Sequence, residues 1–298
     1  MNKAYLRLSM IIVIILFSVY YVFNDLVEGD WGRLSGGWNN LVIFWNESLW
    51  PPDWSVLEAQ TYPLCEEEIG FFCSKAYLGM VETLKIAFVA TFLGFLFAVF
   101  LSPLAARNLS PIWVSIPIRI ILAASRSLPS LIWAIIFVIV VGFGPLSGVL
   151  AMTFYTIGYL GKLQYEELEG LNHDPLEAAR AMGLTHSEIT INVAIPESIN
   201  SIISQLMFMF EYNVRHGTVL GIVGAGGIGY YISTYLKFFQ YDKVLALLIV
   251  IFIVVVIIDL LSMLIRSFVN EEGDVKRPSW LTVILPPKTA ADIHHKEK

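Results

Sequence analysis

Charge is what this 298-residue chain has least of. Asp, Glu, Lys and Arg together make up 15% of it, against about a quarter in a soluble domain. Cysteine is nearly absent. Cys65 and Cys73 are the only two, too few for a disulfide framework or a zinc site. The sequence has no GxxxxGK[ST], no HExxH, no nucleophile elbow and no cluster of metal ligands. These gaps exclude Walker-type ATP binding by this chain, zincin chemistry and serine-hydrolase chemistry.

What is present is apolar length. Hydrophobic residues make up 56% of the chain and mean hydropathy is +0.68. Several runs approach the ~20 residues that carry a helix across a bilayer. The fold class is therefore an all-α polytopic membrane protein with about six transmembrane helices. Four segments are expected. They are a membrane anchor over 1–23, an extracytoplasmic segment over 24–80, a transmembrane domain over 81–269 with a cytoplasmic loop at 166–196, and a cytoplasmic tail over 270–298.

Leu8–Phe23 follows Lys3 and Arg7 and is not followed by a small-residue cleavage site. It reads as an uncleaved anchor with its N-terminus in the cytoplasm. Residues 24–80 hold nine acids against Arg33 and Lys75, a net −7. Trp31, Trp38 and Trp45 recur there at seven-residue spacing, which suits an amphipathic helix lying on the outer membrane surface. The acidic face is either solvated or a docking surface. Cys65 and Cys73 lie on this outer side, where a local disulfide can persist. Further spans are expected at Thr83–Leu101, at about Pro117 to Val141 with a kink at Pro129, at Leu146–Gly161, at Ile199–Phe210 and at Leu245–Ile265. Lys and Arg near span ends then fall mostly inside, with Lys237 and Lys243 outside, and both termini are cytoplasmic.

The stretch Asp174–Pro196 is the longest polar, helix-forming interruption in the second half of the chain. Asp174, Pro175 and Glu177 suit a helix start, Gly183 a left-handed exit, and Thr185 with Glu188 a second capping box. Pro196 is expected to close the second helix. A helix-turn-helix that reads DNA is one alternative. It fails because Thr185–Ile195 has no Lys or Arg to meet phosphate, so no nucleic-acid partner is expected. A merely structural hairpin is the other.

The pattern Glu177-Ala178-Ala179, then Gly183, then Val193-x-Ile195-Pro196 resembles the EAA loop of membrane subunits of bacterial-type ABC importers. The usual ending is Ile-x-Leu-Pro, so Val193 and Ile195 are conservative departures. The resemblance implies a coupling helix seated in a groove of a separate ATPase, with Glu177, Ala178, Ala179, Gly183 and Pro196 at that contact.

Gly224-Ala225-Gly226-Gly227-Ile228-Gly229 matches GxGxxG, but it lies in membrane-embedded sequence and no acid follows at the distance a dinucleotide site needs. Small residues there allow close helix approach or a broken helix beside a pathway. Glu211-x-Asn213-x-Arg215-His216 through Gly229, with Arg126–Ala134 (RSLPSLIWA) and Asp259–Arg266, resembles the permease subunit of phosphonate ABC importers. The glycine run and the RSLP element also resemble the methionine importer permease. The resemblance covers about Thr83–Phe268 and implies a type I ABC importer fold with a methionine-importer-like core.

On that resemblance the chain is a transport subunit, not an enzyme, and moves phosphonate or a related small phosphorus oxyanion such as phosphite. It binds no cofactor itself; ATP and Mg sit on the partner ATPase. An extracytoplasmic binding protein delivers the ligand, and a second permease copy completes a homodimer in membrane lipid. Residues placed along the path or gate are Arg126, Ser127, Glu211, Asn213, Arg215, His216, Gly224, Gly226 and Gly227. Glu211 and Arg215, four apart, also suit a simple ion pair, and the glycine amides an anion nest. Another cargo such as methionine, or a secondary transporter or channel without ATPase, are the alternatives.

Overall fold

The structure, a computed structural model, describes residues 3–59 and 70–269. It is helical, with no strand among the described residues. The chain divides into two compact units, residues 1–52 and 53–298. Cys65 lies outside the described residues, as does the tail over 270–298; Cys73 is buried and disulfide-bonded.

In the first unit, α1 (Lys3–Leu26) contains an apolar span from Arg7 to Leu26. A turn follows and leads into α2 (Gly32–Phe44), which widens into a π-helical turn at Trp45–Leu49. Trp31 holds the turn: its ring stacks on Tyr20 and its indole N–H donates to Asn24 at 3.0 Å. Trp38 is two-thirds exposed and Trp45 nearly half.

The second unit is a helical bundle. Its long elements are α3 (Lys75–Ala105), α6 (Pro145–Gly170), α9 (Ile195–Leu220) and α11 (Tyr241–Val269). Between them lie α4 (Ile112–Ser125), α5 (Ser130–Val141), α7 (His173–Ala181), α8 (His186–Ile189) and α10 (Ile228–Lys237). α6 is the hub and packs against α3, α4, α5 and α9. Small residues permit that approach. A Cβ on Gly94 of α3 would come within 2.4 Å of Thr156 on α6.

The hub position explains a departure from hydropathy. Among the described residues four helices are long and apolar enough to span a membrane, or five if the α4–α5 pair counts as one. The expected span Leu146–Gly161 is present as α6 but is not among them. It buries Thr153, Thr156 and Gln164 and touches protein on most sides, so it need not be as apolar as a lipid-facing helix.

Three further expectations are corrected. The single span kinked at Pro129 is two helices meeting at 86°. Pro129 is extended (ψ 147°) and stands at the N-cap of α5, because a proline starts a helix more readily than it continues one. Pro196 does not close a helix. It lies in the first turn of α9, after a π-helical turn at Thr190–Ala194 that absorbs the missing N–H. The fifth helix therefore runs unbroken through Glu211–His216 to Leu220. Finally, Asn172 rather than Asp174 is the N-cap of α7, and Asp174 sits in the first turn.

Candidate functional site

The polar loop over 174–196 is built locally. The Thr185 hydroxyl accepts from the Glu188 amide while the Glu188 carboxylate accepts from the Thr185 amide, so both halves of the second capping box form. The Thr185 amide, with its hydroxyl, holds the Glu188 carboxyl below the usual range. Gly183 takes φ +83° and lets Leu184 donate back to Ala179, ending α7 as a left-handed exit does. Leu176 and Ala179 are buried in a cluster with Ala105, Leu109, Leu122, Leu168 and Ile189. That cluster ties the loop to α3, α4 and α6. Glu177, Ala178, Met182, Gly183 and Pro196 are exposed. One face of α7 thus belongs to the bundle and the other is open. Arg180 reinforces the inner attachment by donating to the Asn108 carbonyl at 2.7 Å. Arg119 pairs with Glu169 beneath, its guanidinium lying over the Tyr165 ring at 4.3 Å.

Deeper in the bundle, a cavity of about 450 Å³ opens at the α4–α5 break. Arg126, Ser127 and His216 line it together, so three of the path residues expected from sequence do converge. Leu128, Pro129, Ser130, Leu131, Tyr155 and Tyr212 complete most of its wall. The Tyr212 hydroxyl donates to Tyr155 at 3.1 Å, and His216 stacks on the Tyr212 ring at 3.7 Å. Nε of Arg126 is buried without a hydrogen-bond partner among the described residues. Among the described residues no carboxylate lines the cavity. The break is fixed from two sides. Trp133 donates its indole N–H to the Ser125 carbonyl at 2.9 Å. Gly158 of α6 has no room for a side chain, since a Cβ there would stand 2.7 Å from the Leu122 oxygen and 2.9 Å from the Arg126 nitrogen.

The remaining path residues lie elsewhere. Asn213 is 1% exposed and donates to Thr91 at 2.8 Å and Thr156 at 3.0 Å, tying α9 to α3 and α6. Glu211 lies against α11, where Arg266 donates to it at 2.6 Å. Arg215 reaches Glu211 and Asp259, each at 3.7 Å. The expected i,i+4 pair is thus one edge of a four-charge group joining α9 to α11. Gly224, Gly226 and Gly227 all have positive φ and form the turn into α10. Thr83 accepts the Ile228 amide there at 2.9 Å, and a Cβ on Gly227 would stand 2.5 Å from the Thr83 hydroxyl.

Sequence reasoning missed Ser130, Tyr155, Tyr212 and Gly158. Only the aromatic i,i+4 spacing of Tyr155-Tyr159 and Tyr212-His216 carried a signal. Elsewhere in the bundle, Val56 plugs into a cluster with Met80, Ile232 and Leu247. Asp53 meets Lys243 at 3.8 Å; its carboxyl is held below the usual range first by the Ser55 amide, with burial opposing.

Solved structures show the same architecture. The MetNI methionine ABC transporter in an inward-facing conformation superposes with a TM-score of 0.60 over 66% of this chain and 97% of that one, at 23% identity. Fold, family model and relatives together define a class: the membrane-spanning permease subunit of an ABC importer, a multi-pass transport subunit rather than an enzyme. More narrowly, the chain belongs to the binding-protein-dependent transport system inner membrane component family, whose model matches residues 90–271. It is 32% identical over 262 residues to the phosphite transport system permease protein PtxC of Stutzerimonas stutzeri, covering 88% of each chain. It is also 32% identical over 283 residues to the putative phosphite transport system permease protein HtxC of the same organism, covering 95% of this chain and 92% of that one.

Proposed function

We propose that this permease carries a small phosphorus oxyanion, phosphonate or phosphite, inward across the membrane at the expense of ATP hydrolysed by a partner. The observation that carries the reading is the cavity at the α4–α5 break. It offers Arg126 and His216 and no carboxylate, in a chain similar along most of its length to two permeases named for phosphite transport. An ionisable residue within a bundle is costly unless it pairs or lines a path, and Arg126 lacks a pairing carboxylate among the described residues.

ATP and Mg would be bound by the ATPase, whose groove receives the open face of α7. Closure of two ATPases would push α7 against the cluster around Leu176 and Ala179. That cluster would carry the push into α3, α4 and α6, and so into the break. The bundle is then a two-state element biased by its partner. A binding protein delivers ligand at the outer face, two copies of this chain form the pathway, and both termini lie in the cytoplasm. The test is uptake of radiolabelled phosphite into proteoliposomes holding the chain, its ATPase and its binding protein, with and without internal ATP. ATP-dependent uptake supports the reading. Uptake that ignores ATP favours a secondary transporter, and ATP-driven uptake of methionine alone replaces the cargo.

A further inference from the structure

We infer that the start of α5 and Arg126 together form an oxyanion cradle in which the Ser130 hydroxyl is a direct ligand contact, a site that rests on the phosphorus-oxyanion reading above.

Three independent observations meet in one wall. First, α5 is a twelve-residue helix whose N-terminus lies at the cavity. Its cap is Pro129, which has no side chain able to accept from the first turn. The amides of Ser130 and Leu131 make no hydrogen bond among the described residues. Free first-turn amides and the helix dipole favour an anion. A break that turns a half-helix N-terminus toward a cavity is a recognised way of holding an anionic solute in a membrane.

Second, Ser130 is only 5% exposed, yet it lines the cavity, and its hydroxyl has no partner among the described residues. The other serines of this break are satisfied: Ser125 donates to Ile121 at 3.0 Å and Ser127 to Ala124 at 2.7 Å. The residue is held in place by its burial while its hydroxyl opens to the cavity, where it is free to meet a ligand. Third, Nε of Arg126 is buried and unpartnered. A guanidinium offers planar donors that match two oxygens of a tetrahedral oxyanion.

The groups left without a partner on this wall, two amides, a hydroxyl and Nε of Arg126, can all donate, as a ligand rich in acceptor oxygens requires. A phosphonate or phosphite presents two or three such oxygens. Methionine carries an ammonium as well as a carboxylate, and with no acid in the lining the cavity offers that ammonium no counter-charge.

The experiment is ATP-driven phosphite uptake by the full importer in proteoliposomes, with binding protein saturated. The wild-type chain is compared with Ser130→Ala, Ser130→Thr, Arg126→Gln and Arg126→Lys, each first shown to assemble with its ATPase. Losing a charge-assisted hydrogen bond should slow uptake about tenfold or more for Arg126→Gln, and losing a neutral one about threefold to tenfold for Ser130→Ala. Ser130→Thr, which keeps the hydroxyl, should recover much of the rate. Phosphorus-31 NMR of phosphite with the permease–ATPase complex alone gives a second readout. Line broadening is expected for wild type and weaker broadening for Ser130→Ala. If wild type carries phosphite and Ser130→Ala matches it, or Ser130→Thr falls as far as Ser130→Ala, the cradle is overturned while the cargo stands. If wild type carries no phosphorus oxyanion, the cargo reading itself fails.

Discussion

Arg266 of α11 donates to the Glu211 carboxylate of α9 at 2.6 Å across 55 residues of sequence. Glu211 is 7% exposed at its side chain, and the second cation near it, Arg215, is 45% exposed and stands off at 3.7 Å. The two arginines are therefore unequal. One meets a buried carboxylate directly, and the other lies at the rim.

That inequality predicts different failures. Glu211→Ala leaves a partly exposed Arg266 with no carboxylate partner among the described residues and should cost about 1.5–3 kcal/mol, the range for a hydrogen bond to a charged group. Arg215→Ala should cost about 0–1 kcal/mol, as for an exposed pair. Thermal unfolding of the purified permease in detergent compares the two. Equal destabilisation would contradict the distinction.

Coupling can be separated from folding at α7. Glu177 and Gly183 are exposed, and no atom lies where a Cβ on Gly183 would go. Glu177→Lys should weaken ATPase contact with little effect on the bundle. Gly183→Pro should spoil the left-handed exit, because proline cannot adopt φ +83°. Both variants should insert normally and raise the ATP hydrolysed per ligand transported. An unchanged ratio in both would mean that α7 is not the coupling element.

The α4–α5 break should be sensitive to one methyl group. Gly158→Ala drives a Cβ against backbone atoms of Leu122 and Arg126, which cannot swing aside. Overpacking of this kind costs about 1–3 kcal/mol, and it should disturb the cavity more than the coupling loop. Uptake should fall while co-purification of the ATPase persists.

These sites differ in how far the sequence revealed them. Gly183 and the Thr185–Glu188 box were readable because a cap is made by residues three or four apart. The convergence of Arg126 with His216 was suggested only by resemblance, since the two are 90 positions apart and meet through α6. The Arg266–Glu211 pair was not readable, because neither residue carries a local sign of the other. Pro196 misled because a π-helical turn can absorb a proline. α10 was hidden behind the glycine turn that Thr83 pins from another helix. The span at Leu146–Gly161 was legible but its place as the hub was not, because hydropathy measures affinity for lipid and this helix is covered by protein.

The Asp53 and Glu188 carboxylates should add no pH dependence across the neutral range. Asp53 and Glu188 both have lowered pKa values in the folded chain. A group of this sign stabilises above its unfolded pKa and loses that contribution as pH falls through the folded value. Hydrogen exchange, corrected for its intrinsic pH dependence, should show constant protection of α8 from pH 8 to about pH 5 and loss only in stronger acid. Loss of protection between pH 8 and pH 6 would contradict the capping box.

ATPase activity of the purified chain with its neighbouring ATPase and binding protein in lipid bears most directly on the central claim. Phosphite, 2-aminoethylphosphonate, phosphate and methionine would be added in turn. The account predicts stimulation by at least one phosphorus oxyanion and none by methionine. Stimulation by methionine alone, or a purified chain that retains no ATPase and responds to none of the four, would contradict it.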